Sequence, residues 1–391
     1  MFIPRSHRAL YATLLPIPIV AAVAALLLLG GCGGPASQAA AAEEELGAVT
    51  TIRVHANAAS LSLRGDQAPL SWTRGVAMTA SGGGVFTYTT RALKQRTQLK
   101  PLLPGAVWSR GPNFAVDPGA TVELWPRFQG DSGHVQRFDG WRSPSLQDAR
   151  PVWIYTPPSY DEQPAERFPV VYMHDGQNLF DPAYSFSGAT WQVAQAFDQG
   201  AADGSIREAV VVGIGNTSDR IWEYTPTDGG YGGGGASAYL GFVVNELKPQ
   251  IDQSLRVSSD RLDTALVGSS LGGLVTACEG VWSPGTFGLL GIMSPSTWWD
   301  GTMIIGMVQG TASSPVKPAR VYVDSGDAGG QDGQPGDDRD NTARLAQAYR
   351  DVGNIQVLHV VGHGDSHEEA AWARRLPGAL RFLLGPRSAL P

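Results

Sequence analysis

The run Gly268-Ser269-Ser270-Leu271-Gly272 follows the apolar stretch Thr264 to Val267 and precedes a second apolar stretch from Leu274 to Cys278. Read in order, this is a strand, a sharp turn and a helix, with Ser270 at the tip of the turn. A serine held there is exposed at the end of its strand, and its hydroxyl is placed to attack an electrophilic carbon. The helix that starts immediately after it aims unpaired N–H groups at any negative charge the attack creates. Glycine at 268 and 272 lets strand and helix approach without a Cβ between them.

Serine is a weak nucleophile on its own and needs a histidine base held in place by an acid. Where such a turn carries the nucleophile, the acid and then the histidine follow in chain order. His359, His363 and His367 are the bases available after Ser270. His359 falls inside an apolar strand pattern and reads as a packing residue, whereas His367 lies in a loop just before the final helical segment and is the preferred base over His363. The acid is expected after Val321-Tyr322-Val323, where Asp324, Asp327, Asp332, Asp337, Asp338 and Asp340 crowd one loop. Asp324 reads as structural; Asp327, one residue past Gly326, is the preferred acid and Asp332 the next. A Ca²⁺ site is a second reading of that acidic loop, although its spacing does not match an EF-hand. For the oxyanion, the N–H of Leu271 is one expected donor. The other is expected from His174-Asp175-Gly176-Gln177, as the N–H of Gly176 or Gln177. His174 and Asp175 read as braces for that loop.

These groups need a scaffold that delivers strand ends to one place. From Pro151 onward, strand-like runs that are apolar throughout alternate with helical patterns, the clearest from Ala236 to about Leu255, where Leu240, Val243, Leu247 and Ile251 recur on one face. Such strands predict an α/β fold with a mostly parallel sheet covered by helices on both sides, and active sites in these sheets lie at the carboxyl ends of the strands.

The preceding 49–129 stretch alternates apolar and polar residues with glycine punctuation and predicts an all-β sandwich domain. Its Leu63 to Trp72 run, with Lys100-Pro101-Leu102-Leu103 and Trp108 to Asn113, resembles starch-binding-type modules, with Trp72 and Trp108 as candidate stacking platforms for sugar rings. At the start of the chain, Arg5 and Arg8, the apolar run Ile17 to Leu29 and Leu29-Gly30-Gly31-Cys32 resemble a bacterial lipoprotein signal. That resemblance implies a signal peptide over 1–31, lipidation of Cys32, a flexible tether over 32–48, and a membrane-anchored protein of the bacterial cell envelope. With Cys32 lipidated, Cys278 has no disulfide partner within the chain. The formal charge of −7, without a basic run, gives no electrostatic case for nucleic acid, and no nucleic-acid partner is expected.

Several segments in order resemble an esterase family that includes esterase D, enterochelin esterase and feruloyl esterase domains. They are Tyr155 to Tyr160, Met173 to Asp181, Arg220 with Glu223-Tyr224-Thr225-Pro226, Gly268 to Gly273, Ser294-Pro295-Ser296 with Trp298-Trp299, and His367-Glu368-Glu369 with Trp372 and Arg375-Leu376-Pro377. The resemblance covers about residues 145–386. It implies an α/β-hydrolase fold, no cofactor and no metal, Ser270 as nucleophile and His367 as base, with Arg220, Glu223 and Trp298 as candidates for the substrate pocket and a structural ion pair as the equal alternative for Arg220 and Glu223. The expected reaction is hydrolysis of a small-molecule or glycan-linked carboxylic ester. Transfer of the acyl group to a sugar, and a carbohydrate-binding surface lipoprotein with an inactive hydrolase domain, are the alternatives.

Overall fold

The computed structural model describes residues 47–386 apart from Asp332, so Cys32, the expected signal and all but the last two residues of the expected tether lie outside the described residues. An eight-stranded sheet positions the site. We number its strands β1 (His134–Ser143), β2 (Asp148–Thr156), β3 (Val170–Met173), β4 (Val210–Ile214), β5 (Thr264–Ser270), β6 (Leu289–Pro295), β7 (Arg320–Gly326) and β8 (Gln356–Gly362). Their spatial order is β1-β2-β4-β3-β5-β6-β7-β8. The pairs β1–β2 and β2–β4 are antiparallel, and from β4 to β8 every pair is parallel.

The uniformly apolar strands follow from burial on two faces. Val170 and Tyr172 of β3, Val210 and Val212 of β4 and Leu266 of β5 point to one core, while Val171, Met173, Val211, Ala265 and Val267 point to the other. The first core is closed by α3 (Ala236–Phe242), α5 (Leu271–Trp282), α6 (Trp299–Gln309) and α7 (Arg339–Asp351), and the second by α1 (Val193–Asp203) and α8 (Glu369–Leu384). Between α1 and α3 lies the short α2 (Arg220–Tyr224). The helix expected from Ala236 is present, but Val243–Leu247 is a π-helical turn joining α3 to α4 (Lys248–Ser254). Pro249 in the first turn of α4 has no N–H to give to the carbonyl four residues back, which accounts for the widening there.

The sheet begins one strand earlier than the sequence pattern suggests. β1 is a half-exposed edge strand whose register shifts between Phe138 and Trp141, with Gly140 at φ 71°, so its alternation is broken where a strand signal is sought.

Ahead of β1, a four-stranded and a five-stranded sheet enclose a core of Ile52, Val54, Leu63, Phe86 and Leu99. This β-rich part is fastened to the α/β part by polar contacts. The Glu162 carboxylate accepts the N–H groups of Phe128 and Gln129, each at 2.6 Å, and buried Arg127 faces Glu208 at 3.6 Å. Among the described residues no helix is long and apolar enough to cross a membrane.

Candidate active site

β5 ends on Ser270, whose φ of 59° and ψ of −129° form a strained conformation for a residue with a Cβ. The turn is too tight for a side chain at Gly268: a Cβ there would lie 2.5 Å from the Gly272 carbonyl oxygen. Ser270 is held by its neighbour strand, its carbonyl accepting the Ser296 N–H at 3.0 Å. Leu271 is the first residue of α5, so its N–H has no carbonyl partner within the helix.

His367 lies between the end of β8 and the start of α8, its ring edge-on to Trp372 with centroids 5.0 Å apart. The partner of its Nδ1 is Asp337, whose Oδ1 is 2.5 Å away. Asp337 is wholly buried, and its Oδ2 accepts the Gly326 N–H at 2.6 Å and the Ser294 hydroxyl at 2.5 Å. Burial pushes the Asp337 carboxyl up, but the bonds from His367, Ser294 and Gly326 outweigh it and hold the group below the ordinary carboxylate range. It therefore faces the imidazole as an anion. On the far side of the ring, Gln331 Nε2 lies 3.4 Å from His367 Nε2 and donates to Ser296 Oγ at 3.0 Å. Elbow and imidazole are thus linked through Ser296 and Gln331.

Asp327, the acid expected from the sequence, is not brought to His367. Its Oδ2 meets His363 Nδ1 at 2.7 Å and its Oδ1 accepts the Gly364 N–H at 2.7 Å, in a pair whose histidine side chain is 87 % exposed. Asp332, the second choice, lies outside the described residues. The cause is a hairpin. Gly330–Gln331 pairs with Gln334–Pro335, and Gly336 N–H closes on Gly329 O at 3.0 Å, so the chain returns to the end of β7 and presents Asp337 beside Gly326. Asp324 is buried on Arg375 and Tyr322. Asp338 accepts the Trp298 N–H at 2.9 Å, and burial raises its carboxyl to about 6. The loop's carboxylates are thereby dispersed, and among the described residues no group of three or more His, Cys, Asp or Glu could hold a metal ion.

The loop after β3 brings Gly176 and Gln177 to the sheet edge. A Cβ at Gly176 would lie 2.6 Å from the Gly213 backbone, so only glycine lets this loop lie on β4. Asp175, at φ 55°, braces the turn. Arg220 grips its two oxygens at 2.7 and 2.8 Å, and Asn216 adds a third bond at 2.6 Å. The Arg220 charge overcomes the cost of burial and keeps Asp175 below its ordinary pKa. His174 Nδ1 meets Tyr239 at 2.8 Å, and burial lowers this imidazole to about 3, leaving it neutral.

Of the three residues expected in the substrate pocket, Glu223 is corrected. It is buried and paired with the fully buried Arg150, and serves to tie α2 to β2. Arg220 is partly exposed but is committed to Asp175. Trp298 is half-buried in an aromatic cluster with Trp299 and the exposed Tyr231. Gln331 carried no signal in the sequence, since its place depends on the hairpin.

A family model described as "Putative esterase" matches residues 143–383. An uncharacterized protein, YbbA, of Bacillus subtilis is 27 % identical over 248 residues, which is 59 % of this chain and 91 % of that protein. An endo-1,4-beta-xylanase/feruloyl esterase of Xylanibacter ruminicola is 25 % identical over 248 residues, covering 62 % of this chain but 30 % of the relative. Among solved structures, an IroE-like serine hydrolase from Shewanella oneidensis superposes with a TM-score of 0.53 at 23 % identity, over 63 % of this chain and 79 % of that one, a likeness of fold.

Proposed function

Because the chain belongs to this esterase family, we propose that it hydrolyses carboxylic esters through an acyl-enzyme on Ser270. The observation that supports this reading best is the partly buried His367 held by the buried Asp337 anion, with its Nε2 linked through Gln331 and Ser296 to the strained Ser270 at the end of β5. With Nδ1–H given to the carboxylate, the neutral imidazole offers Nε2 as the base. It takes the hydroxyl proton as Ser270 Oγ bonds to the ester carbonyl carbon, and returns it to the alcohol oxygen as the C–O bond breaks. Water, deprotonated in the same way, then releases the acid and regenerates the serine. The Leu271 N–H, with that of Gly176 or Gln177, receives the charge on the carbonyl oxygen in both steps. Asp337 remains an anion throughout and stabilises the imidazolium.

The feruloyl esterase relative makes hydroxycinnamoyl esters the first substrates to try, next to short-chain nitrophenyl esters. Ser270→Ala and His367→Ala should each lower turnover by about 10³-fold or more, and the double variant should be little worse than either, because the two act as one unit. A fluorophosphonate should label the wild type at Ser270 alone. A wild-type protein that neither turns over these esters nor takes the label, or a Ser270→Ala variant as active as wild type, would end this reading.

A further inference from the structure

A buried polar path leads away from Asp337 into the protein. The Ser294 hydroxyl sits at its centre, in contact with Asp337 Oδ2 at 2.5 Å, Arg375 Nη2 at 2.8 Å and Trp372 Nε1 at 3.0 Å. Guanidinium and indole N–H groups only donate, so both point at the serine oxygen, and the single hydroxyl proton is left to point at Asp337. The direction of the path is therefore fixed by chemistry. Arg375 carries its positive charge into the core and is itself tied to Asp324 at 3.0 and 3.2 Å and to Asp365 at 2.7 Å. Ser294 has a φ of 38°, unusual for a residue with a side chain, and its N–H is fixed on Asp324 Oδ1 at 3.1 Å. Ser294 is the unpaired residue where the register of β5 and β6 shifts, so the backbone bulges there and its amide and hydroxyl are held by the buried carboxylates.

We infer that Ser294 is a positioning residue that tunes the Asp337–His367 pair, passing the influence of Arg375 to the carboxylate through one hydroxyl. This rests on the reading of His367 as the base for Ser270. A donor on Oδ2 draws electron density from the carboxylate and lowers its pull on the imidazole proton. Without it, Asp337 holds His367 in the protonated state to higher pH, and a protonated His367 is no base. Of the other charged groups nearby, Glu368, next to His367 in the chain, is exposed to water, and the rest are engaged elsewhere. Asp324 and Asp365 are on Arg375, and Asp365 also on Arg374. Asp338 turns to Trp298 and Asn341, and Glu369 to Asn178 and Ser187. A serine that only filled the core would alter stability on removal and leave the pH dependence alone.

The test is the pH profile of kcat/KM for a nitrophenyl ester, measured on the full chain with Ser294→Ala. The acid limb should move up by about half to one pH unit, so that the loss relative to wild type is roughly 3- to 10-fold larger at pH 6 than at pH 8. The low-field proton resonance of His367 Nδ1–H should move in the same variant. Ser294→Cys replaces the hydroxyl by a weaker donor of similar size, should shift the limb in the same direction by less, and carries the test if Ser294→Ala does not fold. An active variant with the wild-type acid limb and an unmoved resonance overturns the inference while leaving Ser270 and His367 in place. A wild type that turns over no ester overturns the underlying reading and the inference with it.

Discussion

Two carboxylates of one loop each face an imidazole, Asp337 on His367 and Asp327 on His363. Burial separates them. Asp337 and its bonds lie in the low-dielectric interior, where a fixed anion holds a ring orientation and stabilises a developing imidazolium, whereas the Asp327 pair lies at the surface and is screened by water. Asp337→Asn should therefore lower kcat on the order of 10³-fold, and Asp327→Asn should leave it within about a few-fold of wild type. Steady-state kinetics of the two variants decide the matter, and a larger loss at Asp327 would reverse the assignment. The turn that carries Ser270 and the loop position of His367 are readable from the chain because both are tied to local patterns, a glycine-flanked turn and the start of a helix. The carboxylate that meets His367 is not, because it is brought there by a hairpin that returns residue 337 to residue 326, and neither composition nor distance along the chain records that return. For Glu223 the chain left a pocket residue and a structural ion pair both open, and the pair is decided by Arg150, which comes from a strand far away in sequence.

At the level of elements, the parallel strands were legible because burial on both faces leaves runs such as Val210 to Ile214 with no polar residue, while β1, half-exposed and bulged, left no such mark. The helix after the elbow holds something its sequence conceals. Glu279 of α5 is fully buried, neither carboxylate oxygen has a hydrogen-bond partner among the described residues, and burial raises its carboxyl to about 8. In the folded chain it keeps its proton at pH values where the unfolded chain, at 4.5, has given it up. Stability must then fall as pH rises between those two values, by about 1.4 kcal/mol for each pH unit at most, a few kcal/mol in all. Glu279→Gln has nothing to ionise and should remove this slope. The variant should melt close to wild type at pH 5 and clearly above it at pH 8. A difference in melting temperature that is the same at both pH values would show that ionisation of Glu279 is not the cause.

Across the whole molecule, the β-rich part is held to the catalytic part by Glu162 and Arg127, so anything bound by one is kept near the other. Its Trp72 and Trp108 rings are 6.1 Å apart and tilted by 41°, and Trp108 is 38 % exposed with the Arg64 guanidinium 5.0 Å from its ring centre. A core tryptophan would be covered on both sides. We propose that this partly open pair stacks on the apolar faces of sugar rings, a contact that needs area and rigidity more than directed hydrogen bonds. The arrangement is expected to slow the full chain in a gel cast with soluble starch or another glucan, relative to the same gel without polysaccharide. Truncating the more exposed ring, Trp108→Ala, should abolish most of that retardation, as loss of an anchoring aromatic does at other interfaces. Equal mobility of the wild type with and without every glucan tried would return the module to a role of covering the catalytic part, and retardation that survives Trp108→Ala and Trp72→Ala together would move the sugar site elsewhere on its surface.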